Sequence, residues 1–243
     1  MSKGSKISAA QLDAMKKEIG AEETVFFSEL GSKGDWTPCG SKENANLFYK
    51  IDEKTGIKKF KINAIIPTRL QCVIDALLVE KNRVSWESLV DGMKQIEDFG
   101  EGYSMHHITT KSVAFVLGRR DFVHFRRITG PEGLEKVKEN QTDARLVIDV
   151  SSEHPDYPAQ NSTFTRATTL FCATIFREFK DKNGRLYTTY DTITQSNING
   201  YVPSWLVNVV TSSSTLDWYN ALEKCAIELN KKVDEQEKKA AQK

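Results

Sequence analysis

The sequence predicts an α+β domain in which an antiparallel meander is covered by a helix near the C-terminal end. Three observations carry this. From Met93 to Gln195 short runs of alternating apolar and polar residues are separated by turn residues, the period of strands rather than helices. From Leu216 onward, Leu216, Tyr219, Leu222, Cys225, Ala226 and Leu229 recur at three- and four-residue intervals, which sets them on one helix face. Consecutive strands joined by tight turns imply antiparallel pairing rather than alternating βαβ units.

The elements follow in order. Ser8-Ala9-Ala10-Gln11 has the form of a capping box and opens a short helix that carries Leu12, Met15 and Ile19 and ends at Gly20. Residues 31–45, rich in Gly, Ser, Lys and Asn, read as loop. Strands over 46–52 and 58–66 flank a hairpin turn at Glu53-Lys54-Thr55-Gly56. In the second strand Phe60, Ile62 and Ala64 share one face, and Lys59, Lys61 and Asn63 the other. Pro67-Thr68 ends it and caps a helix over 69–79, striped by Leu70, Val73, Ile74, Leu77 and Leu78. Strands then fall near 93–98, 103–108, 112–117, 121–128, 145–151, 163–178 and 186–195. Gly100-Glu101-Gly102, Gly118, Gly130-Pro131 and Asp181-Lys182-Asn183-Gly184 supply the turns. Pro203 opens a helical tail whose second part starts near Ser214; beyond Lys231 it reads as a solvated end that frays. The expected division is an accessory helix and loop over 1–44, one domain over 45–232, and a charged tail over 233–243.

Composition narrows the function. A chain of 243 residues, 39% hydrophobic and 28% charged, can fill a core and still line a cavity. Lys and Arg number 34 against 33 Asp and Glu, so there is no basic footprint for nucleic acid. Cys39, Cys72, Cys172 and Cys225 form no paired motif, and the last three sit among apolar neighbours as buried reduced thiols do. Residues 1–11 lack the apolar core of a signal peptide, and Val113–Leu117 is far too short to span a bilayer. The expectation is a cytoplasmic protein. No cofactor is called for. His106, His107, His124 and His154 do not read as a metal site, because adjacent strand residues such as His106 and His107 point to opposite faces.

A terminal helix laid on a sheet can pack solidly or leave a chamber, and periodicity leaves both open. Three segments add information. Arg120-Asp121-Phe122-Val123-His124-Phe125-Arg126 matches the Arg-Asp-Phe-Val segment, and the basic residue closing it, of the START (steroidogenic-acute-regulatory-protein-related lipid transfer) domain family. His154-Pro155-Asp156-Tyr157-Pro158 followed by Thr165-Arg166 resembles that family's next signature, and Asn199-Gly200-Tyr201-Val202-Pro203 its Gly-x-x-Pro entry to the C-terminal helix. Trp86 stands about where the family has a Trp after its first long helix. The resemblance covers roughly residues 45–230. It implies a helix-grip fold, a curved antiparallel sheet wrapped around the C-terminal helix and enclosing an apolar tunnel. It further implies that one lipid of the phospholipid or sterol class is bound and transferred without turnover, with transient contact at a membrane surface.

On that resemblance the candidate ligand contacts are Arg126, His107, His124, Phe122, Met105, Tyr190 and Leu222. The candidate gate is Leu117, Gly118 and Arg119 with Val209 and Leu216. Parity places Phe122, His124 and Arg126 on one strand face. The family often pairs this Arg with an acid nineteen residues earlier; here that position is His107, so Arg126 is expected to lack a carboxylate and to donate to the lipid. Its replacement by Leu is then expected to weaken lipid binding without unfolding the protein. Tyr103, Tyr187, Tyr190 and Trp218 are available for an aromatic cage around a quaternary ammonium. A cyclase or hydrolase on the same fold is the alternative, with Ser104, Ser112, the serines at 212–214, Asp149 and Asp191 as its polar groups, though no Gly-x-Ser-x-Gly elbow is present. A lipid-regulated scaffold using the charged tail is the third reading.

Overall fold

The computed structural model describes residues 5–32, 35–112, 117–160, 163–200 and 212–242. The chain opens with α1 (Ala9–Gly31), β1 (Thr37–Lys42), β2 (Ala45–Ile51) and β3 (Lys58–Ile66). It continues through α2 (Leu70–Leu78), α3 (Glu80–Trp86), β4 (Val90–Gly100), β5 (Tyr103–Thr110) and β6 (Arg120–Thr129). After a 3-10 turn at Pro131–Gly133 come β7 (Gln141–Ser151), β8 (Thr165–Arg166), β9 (Thr168–Lys180), β10 (Leu186–Asn197) and α4 (Ser212–Ala241). Among the described residues these ten strands form one wide sheet in the order β1-β2-β3-β10-β9-β7-β6-β5-β4, with β8 beside β6. Every pairing is antiparallel except the two-residue contact of β8 with β6. The long-range seam is β3 against β10, running from Ile66 opposite Thr188 to Phe60 opposite Thr194.

Both faces of this sheet are apolar, and each has its own cover. On the inner face Leu47, Ile62, Ala64, Val147, Phe176 and Tyr190 pack against Leu70, Val73 and Leu77 of α2 and Tyr219, Leu222 and Ala226 of α4. On the outer face Met105, Phe125, Leu146, Ile148, Ala173 and Ile175 pack against Met15, Ile19 and Phe26 of α1. The central strands are therefore buried on both sides, and the sheet grips α4 on one of them. This is the expected α+β helix-grip architecture. Two aromatic details fix the inner layer. The Trp86 Nε1 donates to the Ala76 carbonyl at 2.9 Å, and its ring meets Trp218 of α4 edge-on, 5.4 Å between centroids. Tyr219 donates its hydroxyl to the Ile65 carbonyl at 3.2 Å.

Several elements differ from the sequence reading. The capping box is present, Gln11 N–H donating to Ser8 Oγ and Ser8 N–H to Gln11 Oε1, but α1 does not stop at Gly20. A glycine inside a helix costs roughly 1 kcal/mol, less than the burial of Phe26 two turns later contributes, at about 2 kcal/mol or more. Residues 37–42 are a strand, not loop: as an edge strand β1 tolerates Pro38, with a register shift between Pro38 and Gly40. The strand read near 112–117 falls mostly outside the described residues, which omit 113–116; Lys111 and Ser112 are irregular, and β6 begins at Arg120. The single strand read over 163–178 is two, broken at Ala167, where the Arg166 guanidinium turns to Asp121. The helix read from Pro203 lies outside the described residues up to 211. At the far end the stretch beyond Lys231, read as a solvated end that frays, is helical to Ala241, and Arg69 reaches Asp234 at 2.7 Å and Glu237 at 2.6 Å.

Candidate functional site

Between the inner face of the sheet, α2, α3 and the start of α4 lies a cavity of about 340 Å³, within the range of small-molecule sites. Its walls are mostly apolar: Ile62, Val90, Met93, Ile108, Phe122, Val147 and Phe176 from the strands, Leu77 and Leu78 from α2, and Trp218 from α4. Strand parity explains this, because the same alternate positions that would build a solid core here face open space. Thr169, Thr174, Thr192 and Thr194 add hydroxyls along β9 and β10. Thr174 and Thr192 satisfy each other at 2.7 Å.

One end of the cavity is polar. Arg126 stands opposite Asp149 in the β6–β7 register and opposite Ser104 in β5–β6. Its Nε donates to Asp149 Oδ1 at 2.7 Å and its Nη2 to Oδ2 at 3.0 Å, with 4% and 9% of the two side chains exposed. Burial alone would raise the Asp149 pKa, but the Arg126 guanidinium more than offsets it and holds the carboxyl below the usual range. His124 lines the cavity beside this pair; its Nε2 meets Thr169 Oγ1 at 2.8 Å, and its buried Nδ1 has no hydrogen-bond partner among the described residues. Burial pushes the His124 pKa down to about 4 against the pull of Asp149. His106, cross-strand from His124, shares Ser104 Oγ at 2.8 Å; burial and the Arg126 charge push it down to about 3. Both imidazoles are therefore neutral near pH 7. Cys172, also in the wall, is pushed up to about 12 by burial and by Asp149, and burial raises the Tyr190 hydroxyl as well.

A second cation enters the cavity from α3. Arg83 lies over Trp86 and Trp218 at 4.8 and 5.3 Å from the ring centroids, with Glu87 one turn on at 3.6 Å.

The candidate residues fall in different places. Phe122, His124, Arg126 and Tyr190 line the cavity. His107 and Met105 are on the opposite face. The Nε2 of His107 meets Asp121 at 3.0 Å, in a network with Arg166, and Met105 is buried under α1. On β5 Ser104 stands opposite Arg126, with His106 two residues along on the same face, and the carboxylate expected to be missing is present as Asp149, supplied by the strand on the other side. Leu222 is buried between α4 and the sheet but is not in the cavity wall. Of the gate set, Leu117 is half-buried and Gly118 exposed, while Arg119 pairs with Asp91 and lies over Phe164. Leu216 packs at the start of α4, and Val209 lies outside the described residues. The aromatic cage does not form from the four residues named for it. Tyr190 and Trp218 face the cavity, but Tyr103 stacks on Phe125 and Tyr187 on Phe179 elsewhere. Sequence reasoning missed Asp149 as a partner, and it missed Arg83, for which the i, i+4 spacing to Glu87 in front of Trp86 was the available signal.

Among the described residues no group of three His, Cys, Asp or Glu side chains is placed to hold a metal, and no helix is long and apolar enough to cross a membrane. The family model for the START domain matches residues 18–232. The human StAR-related lipid transfer protein 4 is 22% identical over 191 residues, which cover 78% of this chain and 85% of that protein. The structure of human StAR-related lipid transfer protein 5 superposes with a TM-score of 0.72 at 18% identity, over 89% of this chain and 98% of that one. That of human STARD10 gives 0.68 at 16% identity, over 84% and 78%.

Proposed function

The chain belongs to the START domain family, and from that premise we propose that it carries one lipid in this cavity, with a neutral hydroxyl or carbonyl oxygen of the lipid at the polar end. The family membership supports the lipid-binding role. The observation that carries the finer reading is the neutralised pair Arg126–Asp149 beside a His124 Nδ1 with no partner among the described residues. A buried polar nitrogen left unpaired costs about 1–3 kcal/mol, and a lipid oxygen placed there would remove that cost. A phosphate group is disfavoured at this end, because Asp149 already balances Arg126 and both histidines are uncharged. The sterol class fits better than phospholipid. The apolar remainder of the lipid gains roughly 25 cal/mol per Å² buried against the walls.

A carrier fits this cavity better than a catalyst. General acid–base work near neutrality needs a group poised near pH 7, whereas the histidines are pushed down to about 3 and 4 and Cys172 up to about 12. We place exchange at the end where Thr110, Phe122, Ser196 and Thr215 form the wall, next to Leu117–Arg119 and the start of α4, opening transiently at a membrane surface. The four free cysteines suit a reducing compartment such as the cytoplasm.

Protein expressed in a eukaryotic host and purified without detergent should show a stoichiometric bound mass in native mass spectrometry. It should also take up a fluorescent sterol from liposomes in preference to labelled phosphatidylcholine. An apo mass that stays apo after incubation with mixed liposomes would sink the carrier reading. Uptake of phosphatidylcholine alone would sink the neutral-oxygen reading and leave the carrier standing.

A further inference from the structure

The exchange end of the cavity is crossed by a side chain that lines no wall. Arg120 opens β6 and is only 5% exposed. All three of its guanidinium nitrogens donate to backbone carbonyls: Nη1 to Gly118 at 2.5 Å, Nε to Ile198 at 3.2 Å and Nη2 to Asn199 at 3.0 Å. Strands β6 and β10 are not neighbours in the sheet, since β7 and β9 stand between them. The guanidinium is therefore a strut from one side of the curved sheet to the other. Both ends it joins continue cavity walls: Phe122 follows two residues along β6 on the same face, and Ser196 precedes Ile198 by two. Thr110, also in the wall, fixes the root of the strut. The Arg120 N–H donates to its Oγ1 at 3.0 Å, and that hydroxyl donates to the Arg120 carbonyl at 3.3 Å. At the far end the carbonyls are presented by a left-handed turn, Asn199 at φ 48° and Gly200 at φ 70°. The Asn199 amide holds that turn, donating to the Arg166 carbonyl at 3.0 Å and to Thr168 Oγ1 at 3.1 Å. No carboxylate answers the charge. Arg120 forms no ion pair among the described residues, and these include every Asp and Glu of the chain. Its neighbour Asp121 is taken by Arg166 and His107, and burial lowers the Arg120 pKa.

We propose that Arg120 is a clamp that sets how fast lipid is exchanged: the mouth opens when its guanidinium leaves the Gly118, Ile198 and Asn199 carbonyls, and closes when it regains them. This rests on the carrier reading and adds to it the residue that governs the rate. Arg120 is not in the cavity wall, so it acts on the passage and not on the bound lipid, as a positioning residue. The kind of bond suits the role. A carboxylate partner, ionised on both sides as in Arg126–Asp149, would lock the mouth. A buried cation with no polar partner would hold it open. Three neutral carbonyls hold the charge while leaving it free to exchange them for water. Because the clamp closes the empty and the loaded protein alike, its loss speeds uptake and release by the same factor and leaves the equilibrium where it was.

The test uses the full chain and phosphatidylcholine vesicles carrying a fluorescent sterol, or labelled phosphatidylcholine if that is what the native chain takes up. Arg120→Gln should raise the rates of uptake and release together, each by about tenfold or more, the worth of one charge-assisted bond, with the equilibrium affinity unchanged. Arg120→Lys keeps the charge but not the three-pronged reach, and its rates should fall between the two. Faster release with unchanged uptake, so that affinity drops by the whole factor, would overturn the proposal and make Arg120 a support of the bound state. Native rates in Arg120→Gln would overturn it as well. If that variant does not fold, Arg120→Lys decides by the same criteria. A second readout needs no lipid. In the variant that folds, amide exchange should speed up together over 117–119 and 197–200; a rise in one segment alone would overturn the clamp. Failure of the native chain to take up either lipid counts against the carrier reading alone, the clamp then being judged by its amides.

Discussion

Arg126 and Asp149 form a closed unit: two hydrogen bonds hold the guanidinium against the carboxylate, and both side chains are out of water. Removing one partner strands the other. Arg126→Leu is therefore expected to cost about 3–5 kcal/mol of stability, because Asp149 is left buried and charged. The double variant Arg126→Leu/Asp149→Leu should recover most of that loss, since apolar replacement of a buried pair is often neutral or better. Urea unfolding of the three proteins checks this; equal losses in single and double variants would mean the pair is not a coupled unit. The sequence reading expected Arg126→Leu to spare stability, and the reason for the difference is physical. Strand parity shows which face Arg126 takes, but not which residue stands opposite on the next strand. That register is set across residues 130–140, a turn and connection with no period of its own. His107 was reached by spacing along the chain, yet an odd-numbered position in β5 points to the outer face, where it meets Asp121.

The elements that could be read from the sequence are those whose periodicity is uninterrupted: the β2–β3 hairpin, α2, the strands of the meander and the apolar stripe of α4. The ones misread carry a local signal that tertiary packing overrides. In α1, Gly20 reads as a stop and the second half places Val25 and Phe27 at the surface, so its stripe is weak; Ile19 and Phe26, fully buried, hold it to the sheet. Phe26→Ala is expected to cost about 3–5 kcal/mol as a core truncation. Gly20→Ala should instead stabilise by roughly 0.5–1 kcal/mol, because a Cβ at that position meets no atom within 4 Å. Thermal unfolding of the two variants in opposite directions would establish that α1 is one continuous element. At the other end, Arg69→Ala removes the contacts to Asp234 and Glu237. Amide exchange should then speed up over residues 232–241 with the rest of α4 unchanged; faster exchange throughout α4 would mean that Arg69 holds the whole helix.

For the whole molecule, the buried imidazoles beside the cavity make stability depend on pH. His106 and His124 have folded pKa values near 3 and 4, against 6.5 for a free imidazole. In the unfolded chain both bind a proton as pH falls through 6.5; in the fold neither does until far lower. Their contribution is therefore fully present above pH 6.5 and is lost as pH drops toward 4, each group changing stability by up to about 1.4 kcal/mol per pH unit. Asp149, held below the ordinary carboxylate range, adds a loss of the same sign only below about pH 4. Asp191, Glu18 and Glu22 act the other way, since burial raises their pKa values and protonation relieves them as pH falls. Between pH 6.5 and 5 the two imidazoles lower stability as pH falls, and substituting them removes that part alone. Unfolding free energy should thus fall over that interval in the native chain. The fall should be roughly halved in His106→Gln or His124→Gln, and absent in the double variant. A native profile already flat from pH 7 to 5 would mean that these imidazoles are hydrated, and that the polar end of the cavity is open to water rather than closed around a lipid.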